Sequence, residues 1–234
     1  LEGLHLVESA INAKWLIEQA FLCEDRLARS KFVEFSEKLL ANGSQIFSVS
    51  SSVFNKIAET DTPQGIIAVA RQCRADLSAT TQPAKAGACL PWVVLDAVQD
   101  PGNVGTIVRN ADAAGVAGII LTPGCADIYA GKTVRATMGS MFHIPIYKAS
   151  VQQCLDFFLE REIPVYVADA ASAESYSQID WRLPCAIVFG NEGAGVSELF
   201  RQKKSRSVAI PIVGKAESLN VASAAAVILF EAAR

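Results

Sequence analysis

The sequence predicts an α/β protein, with a parallel sheet covered by helices and a smaller α/β unit ahead of it. Two observations carry this expectation. After residue 90, six short runs rich in Val and Ile alternate with helical stretches, the pattern of strands buried on both faces and joined by crossover helices. Residues 75–90 are rich in Ala, Thr, Ser, Pro and Gly and lack apolar periodicity, which reads as a linker between a first segment, 1–74, and a second, 91–234.

In the first segment, LHLVESAINA from Leu4 and FVEFSEKLLANG from Phe32 have helical spacing, and Asn42-Gly43 is a C-terminal stop for the second. IEQAFLC, QIFSVS and GIIAVA read as strands. In the second segment the strands are WVVLDAV, GIILT, IPIYKA, VYVADA, AIVFG and SVAIPIV. Between them lie helical VGTIVRNADAAG, YAGKTVRATMGS, VQQCLDFFLERE and VSELFRQKK. The last run, LNVASAAAVILFEAAR, is too apolar for a solvated helix and belongs in the core or in a subunit interface.

Composition narrows the function classes. The 234 residues carry 21 Lys+Arg against 24 Asp+Glu, and 51% are hydrophobic. That excludes disorder and small disulfide-stapled scaffolds. The net charge of −3 is shared between the segments: residues 1–90 hold 9 basic and 10 acidic groups, the rest 12 and 14. Neither segment is a basic module of the kind that binds polyanions in general. Local clusters exist at Arg26, Arg29 and Lys31, at Arg71 and Arg74, and at Arg201, Lys203, Lys204 and Arg206; each reads as a solvated helix face before it reads as a ligand site. Mean hydropathy is +0.28, yet no stretch approaches the ~20 apolar residues of a bilayer span, so no membrane partner is expected. LEGLHLVESA lacks the basic flank and cleavage site of a signal peptide, and a cytoplasmic location is expected. Six cysteines without C-x-x-C, beside only His5 and His143, point to reduced thiols and no metal site.

Ligands of open α/β sheets bind at the carboxyl ends of strands, and three such loops stand out. In the first, Asp96 to Asn110, Pro101-Gly102 makes a turn and Asn103 stands at a helix start. Arg109 then sits on an otherwise apolar helix, where it needs a partner; a buried salt bridge to Asp96 or Asp112 would serve as well as a ligand. The second, Phe189 to Gly195, sets three glycines around Glu192, so the chain there passes close to a ligand or another segment. The third, Ile210 to Val221, offers Ser218 as N-cap of the last helix. Nucleotide signatures fail: Gly131-Lys132-Thr133 lacks the P-loop glycine at position 126, where Ala126 stands, and GNEGAG is not G-x-G-x-x-G.

Together, N-x-G-x-x-x-R-N-A-D-A-x-G at Asn103 to Gly115, F-G-N-E-G-x-G at Phe189 to Gly195 and I-P-I-x-G-x-x-x-S-L-N-V-A-x-A at Ile210 to Ala224 resemble the three motifs of the SpoU, or TrmH-like, branch of the SPOUT RNA methyltransferases. The first segment, with EGLHLVESA and TPQGIIAVA, resembles the ribosomal-protein-like substrate-binding domain that often precedes it. The resemblance implies a C-terminal trefoil knot, a homodimer built partly on the last helix, and S-adenosylmethionine held by Gly190, Ile210 and Leu219 with Thr122 and Asn191 nearby. It implies methyl transfer to a ribose 2′-hydroxyl of RNA, ribosomal RNA before transfer RNA. Arg109 would activate the hydroxyl, Asn103 shape the acceptor site, Glu192 fix the cofactor loop and neighbour Arg109, and Ser218 and Asn220 complete the pocket wall. A guanidinium stays protonated at neutral pH, so Arg109 is expected to bind phosphate and orient the ribose, leaving the proton to phosphate or solvent. Thr106 departs from the small apolar residue usual in the family, and Lys215 to Glu217 carry no signal for substrate choice. The rival readings are an inactive RNA-binding relative and an enzyme for another adenosine ligand. With a net charge of −3, RNA contacts must concentrate on a few patches, Arg26, Arg29 and Lys31 in the first segment and Arg201 to Arg206 with Arg109 in the second.

Overall fold

The computed structural model of the chain describes residues 1–73, 75–80, 90–202 and 205–234. The first unit runs α1 (Leu4–Asn12), β1 (Ile17–Cys23), α2 (Arg29–Asn42), β2 (Gln45–Val49), α3 (Ser51–Ile57) and β3 (Ile66–Ala70). Its sheet order is β2-β1-β3, with β2 parallel and β3 antiparallel to β1. Gly43 ends α2 at φ 86°, the left-handed cap that only glycine adopts without strain. The short α3 has no apolar periodicity to announce it: of its seven residues only Phe54 is buried.

The second unit comprises β4 (Trp92–Asp96), α4 (Pro101–Ala114), β5 (Gly118–Leu121), α5 (Gly131–Thr137), β6 (Ile146–Lys148), α6 (Val151–Glu160), β7 (Val165–Ala168), β8 (Ala186–Gly190), α7 (Glu198–Gln202), β9 (Arg206–Val208) and α8 (Val221–Ala232). Its six strands lie in the order β6-β5-β4-β8-β7-β9 and every pairing is parallel. Alternate residues feed two cores. Val93, Leu95, Ile187 and Phe189 pack with Val104, Ile107 and Val108 of α4 and Ile228 and Leu229 of α8. Trp92, Val94 and Val188 pack with Phe157 and Phe158 of α6 and Phe200 of α7. Because β4 pairs with both β5 and β8, the loops after these strands open on one edge.

Three sequence expectations are corrected at this edge. SVAIPIV is a strand only at its start: Ser207 and Val208 belong to β9, Ala209 makes one further bridge to Ser175, and from Ile210 the chain is unpaired by any strand, Pro211 having no N–H to pair. The cap of α8 is Asn220, whose Oδ1 accepts from Ala222 and Ser223 N, and not Ser218. And α4 starts two residues before Asn103, capped by Asp100 with Pro101 in its first turn.

The units touch directly. The Trp15 ring meets Phe142 edge-on at 4.9 Å, Tyr129 Oη donates to Cys73 O at 2.6 Å, and Arg135 pairs with Glu59 at 2.9 Å. Part of the expected linker is docked as well, since Ala75 bridges to Tyr147 and Leu77 is buried in the core around Trp92. Arg74 and residues 81–89 lie outside the described residues. Among the described residues no helix is long and apolar enough to cross a membrane.

Candidate active site

The carboxyl end of β4 anchors the site. Asp96 is buried, accepting from Thr122 Oγ1 at 2.9 Å and from Ser197 N at 2.6 Å, so one carboxylate ties the ends of β4 and β5 to the segment that follows β8. Thr122 Oγ1 also accepts from Ala97 N, and Ala97 is held at φ 55°, a conformation costly for a residue with a side chain.

The glycine-rich loop after β8 is folded on itself. Asn191 and Gly195 exchange two backbone hydrogen bonds of 3.0 Å. Asn191 Oδ1 accepts from Gly193 and Ala194 N, and its Nδ2 donates to Ala97 O at 2.9 Å. A Cβ on Gly190 would lie 2.4 Å from the Gly195 carbonyl carbon, so that glycine is required by another segment of chain.

Between this loop, the end of β7 and residues 208–228 lies a cavity of about 420 Å3. Gly190, Asn191, Ile210, Leu219, Glu192, Ser218 and Asn220 of the expected set line it, with Phe189, Val208 and Ile212 as apolar walls. Thr122 does not reach it and serves instead beneath the loop, on Asp96. Asp169 and Arg201 also line it, paired at 2.6 Å. Asp169 carries no sequence signal, because an acid just past a strand end has no local pattern that marks it.

At the cavity rim the three motifs join in one hydrogen-bonded chain. Asn220 Nδ2 donates to Asn103 Oδ1 at 3.0 Å, and Asn103 Nδ2 donates to Glu192 Oε1 at 2.8 Å. Glu192 Oε2 also accepts from Gln99 N at 3.4 Å. Partial burial pushes the Glu192 carboxyl up, but the hydrogen bonds from Asn103 and from backbone amides outweigh it and hold the group below its ordinary value. The partner of Glu192 is thus Asn103, not Arg109.

Arg109 is exposed on α4, has no ionic partner among the described residues and lies outside the cavity lining. The buried salt bridge weighed from the sequence does not form, since Asp96 is committed to Thr122 and Ser197. Next to it, Asn110 Nδ2 donates to Ala222 O at 3.2 Å and fixes α4 against α8. The expected RNA cations are mostly committed: Lys31 to Glu34, Arg201 to Asp169, Arg206 to Glu174, and Arg26 to Asn55 and Pro63 O. Arg29 is exposed and has no partner among the described residues, whereas Lys203 and Lys204 lie outside them.

Comparison with known proteins gives this edge a context. Residues 91–230 match the SpoU rRNA Methylase family and residues 1–68 the MRM3-like substrate binding domain. The 23S rRNA (guanosine(2553)-2'-O)-methyltransferase RlmP of Bacillus subtilis is 34% identical over 98% of this chain and 86% of its own length. The 23S rRNA (guanosine-2'-O-)-methyltransferase RlmB of Shewanella oneidensis is 30% identical over 99% and 95%. Among solved structures, the AdoMet-bound rRNA methyltransferase of Sinorhizobium meliloti superimposes with a TM-score of 0.86 at 34% identity, covering 99% of this chain and 85% of that one. The chain belongs to the SpoU rRNA methylase family.

Proposed function

We propose that this protein transfers a methyl group from S-adenosylmethionine to a ribose 2′-hydroxyl of 23S ribosomal RNA. The observation that carries the reading is the hydrogen-bonded chain Asn220–Asn103–Glu192 at the rim of an apolar-walled cavity. The cavity suits the cofactor: its volume falls within the ~300–1,000 Å3 of small-ligand sites, and its walls pair apolar side chains with a few fixed polar groups. Gly190, Asn191, Ile210 and Leu219 would hold the nucleoside, with Ser218 completing the wall. When bound, the cofactor supplies an electrophilic methyl on a sulfonium, so the protein has to align the acceptor and help its hydroxyl lose the proton.

Asn103, held from both sides, positions the ribose. Arg109, exposed and without an ionic partner among the described residues, is suited to an RNA phosphate and orients the acceptor, and the proton passes to phosphate or solvent, because the guanidinium cannot take it. The 1–74 unit carries the RNA through Arg29 and its neighbours, and 91–234 carries the chemistry. Family membership implies a trefoil knot where the chain returns from β9 to α8. Val227 and Phe230 of α8, 38% and 53% exposed, favour a homodimer contact on that helix. A ribosomal substrate supports a cytoplasmic site of action.

Incubating the protein with methyl-labelled S-adenosylmethionine and either ribosomal or transfer RNA tests the reading. Label at a single ribose of 23S RNA is expected, and its loss in Arg109→Ala with cofactor binding retained by calorimetry. Label in transfer RNA alone, or in neither RNA, overturns it.

A further inference from the structure

We propose that Asp169 and Arg201 form the subsite for the amino-acid end of the cofactor, Arg201 taking the carboxylate and Asp169 the ammonium. This rests on reading the cavity as the cofactor site. The charged side chains in its lining are Asp169, Glu192 and Arg201, and Glu192 is already engaged at the rim by Asn103 and Gln99. The remaining pair faces a wall of Val208 and Ile210 from the end of β7 and from α7.

Arg201 is held in place but not saturated. Its Nη1 donates to Asp169 Oδ2 at 2.6 Å and its Nε to Val196 O at 3.1 Å. These use two of the five N–H groups of a guanidinium. Nη2 lies beside Gly195, where an added Cβ would be 3.2 Å away, and has no acceptor among the described residues. Asp169 Oδ1 accepts from Ala171 N at 3.0 Å, which leaves lone pairs on both oxygens.

The Asp169 side chain is 16% exposed and that of Arg201 39%. A half-buried pair contributes little net stability after desolvation, so stability is a poor reason for placing one in a cavity wall. Recognition is a better one. An α-amino acid carries an ammonium and a carboxylate one carbon apart, the complement of two opposite charges fixed side by side, and binding it adds charge-assisted hydrogen bonds without moving either side chain. Arg201 thereby serves the cofactor and leaves the RNA surface of the sequence reading.

Calorimetry with two nucleosides tests this. S-adenosylhomocysteine carries the amino-acid end, and 5′-methylthioadenosine lacks it. Arg201→Gln and Asp169→Asn should each weaken S-adenosylhomocysteine by about tenfold, the effect of one lost charge-assisted hydrogen bond, and leave methylthioadenosine within about twofold. Retained methylthioadenosine binding also reports an intact cavity. In the unaltered protein, decarboxylated S-adenosylmethionine should bind about tenfold more weakly than S-adenosylmethionine, a comparison that needs no variant. Equal weakening of both nucleosides, or no loss without the carboxylate, overturns the subsite while the cavity reading stands. Failure of the unaltered protein to bind either nucleoside overturns both.

Discussion

Asn220 and Asn103, 117 residues apart in sequence, are hydrogen-bonded side chain to side chain at 3.0 Å. The bond fixes direction as well as distance. Asn220 uses its Oδ1 on Ala222 and Ser223 N as the cap of α8, so only its Nδ2 is left to donate. Asn103 must accept with its Oδ1, and its own Nδ2 turns to Glu192. The helix cap in the third motif thus orients a donor of the first against the carboxylate of the second.

Asn103→Asp tests that orientation. It sets a second carboxylate against Glu192, so methyl transfer should fall by about 100-fold or more. Asn103 does not line the cavity, and S-adenosylhomocysteine affinity should stay within about threefold. Single-turnover assays and calorimetry separate the two effects, and a parallel loss of both would remove the orienting role.

The same bonds give Glu192 a pH signature. Its folded value lies below the ordinary 4.5, so its stabilising contribution is present in full above that value and disappears as pH falls through the folded one. The melting temperature of the unaltered protein should exceed that of Glu192→Gln near neutrality, with the gap closing below about pH 4.5. A gap independent of pH would mean that the carboxylate charge is irrelevant.

The sequence made the sheet legible because strands buried on both faces leave continuous runs such as WVVLD and AIVFG, and both are strands almost to the residue. It overextended SVAIPIV, since hydropathy cannot tell a strand from an apolar cavity wall, and Ile210 and Ile212 serve as wall. Of the residues with a spacing signature, Asn103, Glu192 and Asn220 are brought together in one hydrogen-bonded chain. Asp96 and Asp169 act through partners 101 and 32 residues away, and nothing local marks them. Glu192 and Asn220 carry motif signals, but their hydrogen bonds to Asn103 span 89 and 117 residues and have no local signature.

Gly190→Ala should disrupt the loop, because its Cβ would sit 2.4 Å from the Gly195 backbone. The expected cost is about 1–3 kcal/mol of stability together with lost nucleoside binding. Gly214→Ala, with nothing within 4 Å, is the matched control and should be near neutral. Chemical unfolding and calorimetry on the two variants read this directly; equal behaviour would show that the close approach is not the constraint.

Asp96→Ala removes the acceptor of both Thr122 Oγ1 and Ser197 N from a buried place. Leaving them unpaired should cost about 2–4 kcal/mol in urea unfolding. A loss under about 1 kcal/mol would mean that water replaces the carboxylate without penalty.

Salt dependence of RNA binding discriminates among the cations of the first unit. Lys31 is engaged by Glu34 at 2.8 Å and Arg26 by Asn55 at 2.6 Å, whereas Arg29, at the start of α2, is exposed without a partner among the described residues. A cation already neutralised releases fewer counterions from RNA than a free one, since its Coulombic attraction is partly spent on its neighbour. Arg29→Ala should therefore lower the slope of log affinity against log salt by about 1, and Lys31→Ala should lower it less. With a net charge of −3, the chain has no diffuse attraction to mask the loss of one phosphate contact. Filter binding of ribosomal RNA fragments between low and moderate salt measures both slopes. Equal slopes in the two variants and the parent would move the RNA surface away from α2.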